Sequence, residues 1–211
     1  MTIKQKIIVG VTQRIDTIAG RAETRDSLDQ RLLSWVSCAG LLPMPVPNTL
    51  VEDVLDKFIL EQWLVRINPC ALILSGGNNI GEWSTRDSTE RYLLTWAKKK
   101  MLPVLGICRG MQMMAVWAGA ELVRCEGHVA TRHILFSPNG SKWTQEVNSY
   151  HNWAIETCPI GFEVIAQTKE GSIEAIRHSS LPWEGWMWHP EREDPFSAID
   201  ILRLESLFNG K

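Results

Sequence analysis

Residues 103–118 read PVLGICRGMQMMAVWA, and the fold is decided in this stretch. Val104, Leu105 and Ile107 form a short apolar run without polar alternation, the pattern of a strand buried on both faces. From Arg109 to Ala118, Met113, Met114 and Trp117 recur at helical spacing. Cys108 stands at the junction, between Gly106 and Gly110. Glycines at those positions let neighbouring elements approach while the residue between them takes a strained backbone conformation. The layout is that of a nucleophile elbow with sulfur in place of oxygen, a strand turning sharply into a helix whose N-terminus favours thiolate. A buried structural cysteine beside a glycine-bounded turn would have the same local sequence, so the chemistry needs partners elsewhere in the chain.

The surrounding segments repeat the strand-to-helix alternation. Cys70–Leu74 is a second continuous apolar run, stopped by Ser75-Gly76-Gly77-Asn78-Asn79 and followed by a predicted helix over Thr85–Lys100. Lys6–Thr12 predicts a strand, and Arg21–Cys38 a helix through Leu28, Leu32, Trp35 and Val36. Leu41–Pro47, with three prolines, predicts an extended connector with a short edge strand, and Val51–Val65 another helix. Beyond Glu121 the runs become short and alternating: His133–Ser137, Trp143–Val147, Phe162–Gln167 and Ser172–Arg177 predict antiparallel hairpins. Gly185–Trp188 adds an apolar strand and Phe196–Phe208 a closing helix. Together these predict one α/β domain over residues 1–211: three layers, a mainly parallel central sheet flanked by helices on both faces, and added antiparallel hairpins.

Composition narrows the function. Among 211 residues, 45% are hydrophobic and 22% charged, and the formal net charge of -2 leaves no basic excess to neutralise a nucleic-acid backbone. The longest apolar stretch, Met113–Ala120, falls far short of the roughly 20 residues that cross a bilayer. The N-terminal residues lack the long apolar core of a signal peptide, which predicts a cytoplasmic protein. Five cysteines without CxxC spacing read as thiols, and ten Trp against two Tyr read as core. A homodimer is compatible with this composition, and nothing in the sequence selects it.

A base for the Cys108 thiol is found in Trp188-His189-Pro190-Glu191, which follows an apolar strand and should reach the same carboxyl edge of the sheet. His189 would take and return the proton, and Glu191 would orient the imidazole. Acyl transfer also needs oxyanion donors, and the Ser75-Gly76-Gly77-Asn78 loop makes the N–H groups of Gly77 and Arg109 the chosen pair. Cys125-Glu126-Gly127-His128 followed by His133 offers three candidate metal ligands, short of the full tetrahedral set a structural zinc wants. No metal and no cofactor are expected, and His128 and His133 are placed on a hairpin near the substrate mouth.

In order along the chain, the Ser75–Asn78 loop, Gly106–Gln112, Asn148-Ser149-Tyr150-His151-Asn152 and Trp188–Glu191 resemble the class I glutamine amidotransferase-like superfamily, in particular its γ-glutamyl hydrolase branch. The resemblance spans nearly the whole chain. It implies a Cys108–His189–Glu191 triad and a small γ-glutamyl amide as substrate. It also implies that Gln112 and the backbone from Ser149 through Tyr150 to His151 hold the glutamyl group, with Gly76 and Asn78 beside it. Arg109 after the nucleophile is closer to stand-alone hydrolases than to amidotransferase subunits. Val11-Thr12-Gln13-Arg14, Asn148–Ile155 and Trp188–Glu193 resemble a narrower group within the branch, which implies a nucleotide-linked leaving group, a place in the synthesis of phosphoramidate capsule decorations, and contacts from Gln13 and Arg14. Arg14, Arg109 and Arg192 are the candidates to face the anion. The competing implications are a γ-glutamyl-γ-aminobutyrate-type hydrolase and a glutaminase subunit that delivers ammonia to a synthase.

Overall fold

A computed structural model describes residues 7–51, 57–139 and 142–209. The chain begins with strand β1 (Ile8–Thr12), a small antiparallel hairpin of β2 (Arg14–Thr17) and β3 (Thr24–Ser27), helix α1 (Gln30–Cys38) and strand β4 (Leu42–Val46). It continues through α2 (Lys57–Ile67), β5 (Ala71–Leu74), α3 (Ser84–Lys100), β6 (Val104–Ile107) and α4 (Arg109–Trp117). The second half contains β7 (Leu122–Arg124), β8 (Val129–Phe136), β9 (Lys142–Tyr150), β10 (Trp153–Ile155), β11 (Phe162–Gln167), β12 (Ile173–His178), β13 (Trp183–Trp186) and α5 (Ala198–Asn209).

Nine of these strands form one sheet in the order β4-β1-β5-β6-β13-β12-β11-β8-β9. The first five run parallel, and from β13 outward each neighbour is antiparallel. The parallel half is the doubly covered part, as its apolar runs predict. Along β5, Ala71 and Ile73 pack with Trp35 and Val36 of α1 and Leu204 and Phe208 of α5. Leu72 and Leu74 point the other way, into Leu60 and Leu64 of α2, Leu93 and Leu94 of α3 and Met113 and Met114 of α4. The period-two alternation of a strand is thereby satisfied by two helical layers. Trp35, Trp183, Trp186 and Trp188 are fully buried, and Trp186 and Trp188 stack at 5.3 Å.

Two segments differ from expectation. The predicted helix over Arg21–Cys38 starts only at Gln30, where Asp29 caps it by accepting from the Arg31 N–H; Thr24–Ser27 is instead half of the small hairpin. Leu28 helped carry the helical period, yet it precedes the cap and packs against the same core from an irregular segment. Part of the predicted Val51–Val65 helix, residues 52–56, lies outside the described residues. The five cysteines are unpaired. No helix among the described residues is long and apolar enough to cross a membrane.

Candidate active site

Because β1, β5, β6 and β13 are parallel, the segments that leave them emerge at one edge of the sheet, and every catalytic candidate lies on one of those exits. Cys108 follows β6 with φ 50° and ψ -106°, a strained backbone anchored by its own N–H donating to the Trp186 carbonyl at 2.7 Å. The glycines around it are sterically required. A Cβ at Gly106 would lie 2.6 Å from the Met111 backbone nitrogen, and one at Gly110 would lie 2.0 Å from the Leu74 carbonyl oxygen.

His189 follows β13, and its imidazole rests against Gly76, where an added Cβ would fall 2.6 Å from His189 Cε1. Its Nδ1 pairs with Glu191 Oε1 at 2.7 Å, and both side chains are buried. Burial alone would lower the His189 pKa. The neighbouring Cys108 sulfur, by charge and by hydrogen bond, outweighs it together with Glu191 and pushes the pKa up to about 9. The imidazole is therefore cationic at neutral pH, with Nδ1 on the carboxylate and Nε2 left for the sulfur side.

Two side chains fix the backbone that carries this pair. Asn148 on β9 accepts from the His189 N–H at 3.0 Å and donates to the His189 carbonyl at 2.8 Å. Arg31 on α1 donates to the carbonyls of Glu191 and Glu193 at 2.9 and 2.6 Å. Beneath the glycine loop lies Arg86, fully buried, whose guanidinium donates to the carbonyls of Ser75, Gly76 and Gly77 and to Asn78 Oδ1. Burial pulls Arg86 down to about 10 against the opposing charge of Glu90. Glu90 is held below the usual carboxylate range: burial would raise it, but Arg109 and Arg86 dominate, with Thr12 donating at 2.8 Å.

The cleft above these groups is bordered by Gly77, Asn78, Cys108, Arg109, Gln112, Tyr150, His151 and Trp153 on one side, and by Arg14, Ser75, Gly76 and Glu191 on the other. Gly77, His189 and Arg192 border both parts. Arg109 is the first residue of α4, where a backbone N–H has no carbonyl in a preceding turn, and it shares the cleft wall with Gly77.

Two expectations need correction. The Arg109 side chain does not face an anion in the cleft: it is buried in ion pairs with Asp87 and Glu90 behind the elbow. Gln13 does not border the cleft, since its amide donates to the Val46 carbonyl and its own carbonyl accepts from Asn48. Of the segment expected to offer its backbone to the glutamyl group, Tyr150 and His151 border the cleft, and the Ser149 hydroxyl donates to the His128 carbonyl at 2.7 Å. Asn78 borders the cleft, with both ends of its amide on the Ile15 backbone at 2.8 and 3.0 Å. Gln112 borders the cleft, its amide donating to the Trp153 carbonyl at 2.9 Å. Arg86, Asp87, Glu90 and the role of Asn148 escaped the sequence reading. The available signal was Arg86 and Glu90 lying on the same stripe of α3 as Leu93, Leu94 and Ala97, charges where the helical period asks for apolar residues.

The glutamine amidotransferase class-I family model matches residues 36–203. With a cysteine elbow, a histidine–carboxylate pair and a glycine loop at one edge of a parallel sheet, the chain belongs to the class-I glutamine amidotransferase family. Within it, the γ-glutamyl-CDP-amidate hydrolase of Campylobacter jejuni is 35% identical, with 93% of this chain and 96% of the relative aligned. Component 2 of the Bacillus subtilis aminodeoxychorismate/anthranilate synthase is 41% identical, but over 48% of this chain and 57% of its own length. Among solved structures, a GMP synthase subunit protein from Thermoplasma acidophilum has a TM-score of 0.71 at 20% identity, covering 98% of this chain and 96% of its own. A Thermotoga maritima glutamine amidotransferase has a TM-score of 0.61 at 14% identity, covering 98% and 95%. The class is that of glutamine amidotransferase-like hydrolases.

Proposed function

We propose that the protein hydrolyses a γ-glutamyl amide through a γ-glutamyl thioester on Cys108, and that its substrate is γ-glutamyl-CDP-amidate, cleaved to glutamate and cytidine diphosphoramidate. The observation that carries the chemistry is His189, seated against Gly76, hydrogen-bonded to Glu191 at 2.7 Å and held cationic beside the Cys108 sulfur. The sulfur attacks the γ-carbonyl, and the oxyanion is received by the N–H groups of Gly77 and Arg109. His189 gives its proton to the departing nitrogen as the C–N bond breaks, leaving the acyl group on sulfur. A water then enters, loses a proton to His189 and adds to the thioester carbonyl, and breakdown returns Cys108 and glutamate. No step requires a cofactor.

The choice of substrate rests on the near-full-length relative and on Arg14 and Arg192, whose side chains are 48% and 39% exposed at the cleft. Guanidinium groups at that mouth suit a diphosphate-bearing leaving group. The test is glutamate release by the purified chain alone from γ-glutamyl-CDP-amidate, glutamine and γ-glutamyl-γ-aminobutyrate, compared by kcat/KM. The nucleotide-linked amide should be preferred. Preference for the aminobutyrate compound would replace the leaving group, and turnover of glutamine that depends on an added synthase would make the chain a glutaminase subunit.

A further inference from the structure

On the antiparallel side of the cleft wall, four side chains from three segments converge: His128 just before β8, His133 within it, His151 just after β9 and Glu174 on β12. One ligand-type atom of each lies within 4.8 Å of the others. Glu174 is completely buried, and neither of its carboxylate oxygens has a hydrogen-bond partner among the described residues. His128 Nδ1, His133 Nε2 and His151 Nε2 are buried without partners as well. A carboxylate left like this in a protein interior is costly, and native structures pair or ligate such groups.

The tautomer of His151 sharpens the problem. Its Nδ1 lies 3.0 Å from the Trp153 carbonyl, which can only accept, so Nδ1 carries the hydrogen. Its Nε2 faces Glu174 Oε1 at 3.6 Å. His128 Nδ1 stands 3.5 Å from the same oxygen. These are too long for hydrogen bonds but close to the spacing of ligands around one ion: four-coordinate zinc with bonds of about 2.0–2.1 Å holds its ligand atoms about 3.3–3.4 Å apart. The carbonyl contact on Nδ1 is also the outer-shell device that orients metal-binding imidazoles. The Cys125-Glu126-Gly127-His128 segment, with His133, offered an incomplete set in sequence. The fold completes it from β9 and β12, while Cys125 lies beside the Nδ1 side of His151, at 3.5 Å.

We propose that His128, His133, His151 and Glu174 form a closed, four-coordinate zinc site. All four positions come from the protein, which makes the site structural rather than catalytic. It joins β8 and β12 to the segment after β9, where Tyr150, His151 and Trp153 border the cleft. The backbone of that segment is already tied to His128, whose carbonyl accepts from the His151 N–H at 3.0 Å and from the Ser149 hydroxyl at 2.7 Å.

The full chain, made without a polyhistidine tag, desalted and analysed for metals by mass spectrometry, should contain about one zinc per chain; H133N and E174Q should each hold less than about a tenth of that. Replacing the zinc by cobalt(II) should give the intense visible absorption of four-coordinate cobalt in the wild type only. Should a variant fail to fold, the wild-type protein still decides the matter. Less than about a tenth of an equivalent retained after incubation with zinc and desalting would overturn the site, and a proton on His151 Nε2 would then fill the gap. Full zinc retention in both variants would equally overturn this ligand set.

Discussion

His189 and Glu191 meet at 2.7 Å where the parallel strands end, whereas His128 and His151 stand 3.5 and 3.6 Å from Glu174 in the antiparallel half. All these groups are at least largely buried, and the two clusters share the wall formed by residues 150–153. The shorter contact fits a single proton between nitrogen and oxygen, so that pair can move a proton. The longer contacts leave a carboxylate and three imidazoles facing a common centre, an arrangement suited to a cation that stays. The same two residue types would thus serve proton transfer in one place and ligation in the other, separated by less than one ångström of spacing. The charges of the parallel half also have partners: Arg86, Glu90 and Arg109 satisfy one another and the glycine-loop carbonyls.

The largest effect expected from this contrast is at the sulfur. Cys108→Ala should lower kcat/KM by about ten-thousandfold or more, because triad groups act as a unit, while zinc content stays at the wild-type level. Parallel measurements of glutamate release and bound metal test both statements. Loss of zinc along with activity would mean that the two clusters are one device.

The second comparison is energetic. Arg86→Met leaves Glu90 short of one of its two cations and strips donors from three carbonyls, so unfolding in urea should show a loss of about 3–5 kcal/mol. Glu174→Gln in zinc-stripped protein removes a buried carboxylate whose oxygens lack hydrogen bonds and whose facing nitrogens, on His128 and His151, stand 3.5 and 3.6 Å away, and its cost should stay below about 1 kcal/mol or reverse sign. Equal losses in the two variants would show that Glu174 has a partner in the metal-free state.

How legible each region is in the sequence follows from the same division. The parallel half announces itself locally: buried runs at Ala71–Leu74 and Val104–Ile107, each ending in a glycine turn, place Cys108 and Gly77 with no long-range information. His189 and Glu191 are two residues apart and could be read as a pair. The antiparallel cluster is different, because His133, His151 and Glu174 become neighbours only through hairpin register, such as His133 opposite Val147 and Gln167 opposite Phe136. Nothing in the spacing of those residues encodes that meeting. Arg86 and Glu90 were hidden for another reason: a charged pair at i,i+4 on a helix ordinarily reads as solvated surface, and only the tertiary fold buries it.

A smaller effect concerns pH. With His189 raised to about 9, the protonated imidazole persists through neutral pH, and kcat/KM should fall on an alkaline limb as that proton is lost. The sign for stability agrees: a histidine raised in the fold contributes fully below its unfolded value, about 6.5, and that contribution disappears as pH rises to about 9. Glu191→Gln removes one of the groups holding the proton, so the limb should move to lower pH in rate profiles. A limb that stays in place would assign it to a group other than His189.

The smallest expected effect distinguishes the leaving group from the chemistry. Arg192 lies 4.5 Å above the Tyr150 ring and 4.0 Å from Glu191 Oε1, and it is exposed enough for water to screen its charge. A charge-assisted hydrogen bond to a diphosphate is worth about 1.5–3 kcal/mol, and discounting for that exposure leaves about a tenfold rise in KM, or less, for Arg192→Ala on γ-glutamyl-CDP-amidate. Glutamine has the same γ-glutamyl group and no diphosphate, so its KM should not move. Parallel rises for both substrates would mean that Arg192 acts by holding Tyr150 over the glutamyl side of the cleft, and the anion would then have to be met from Arg14.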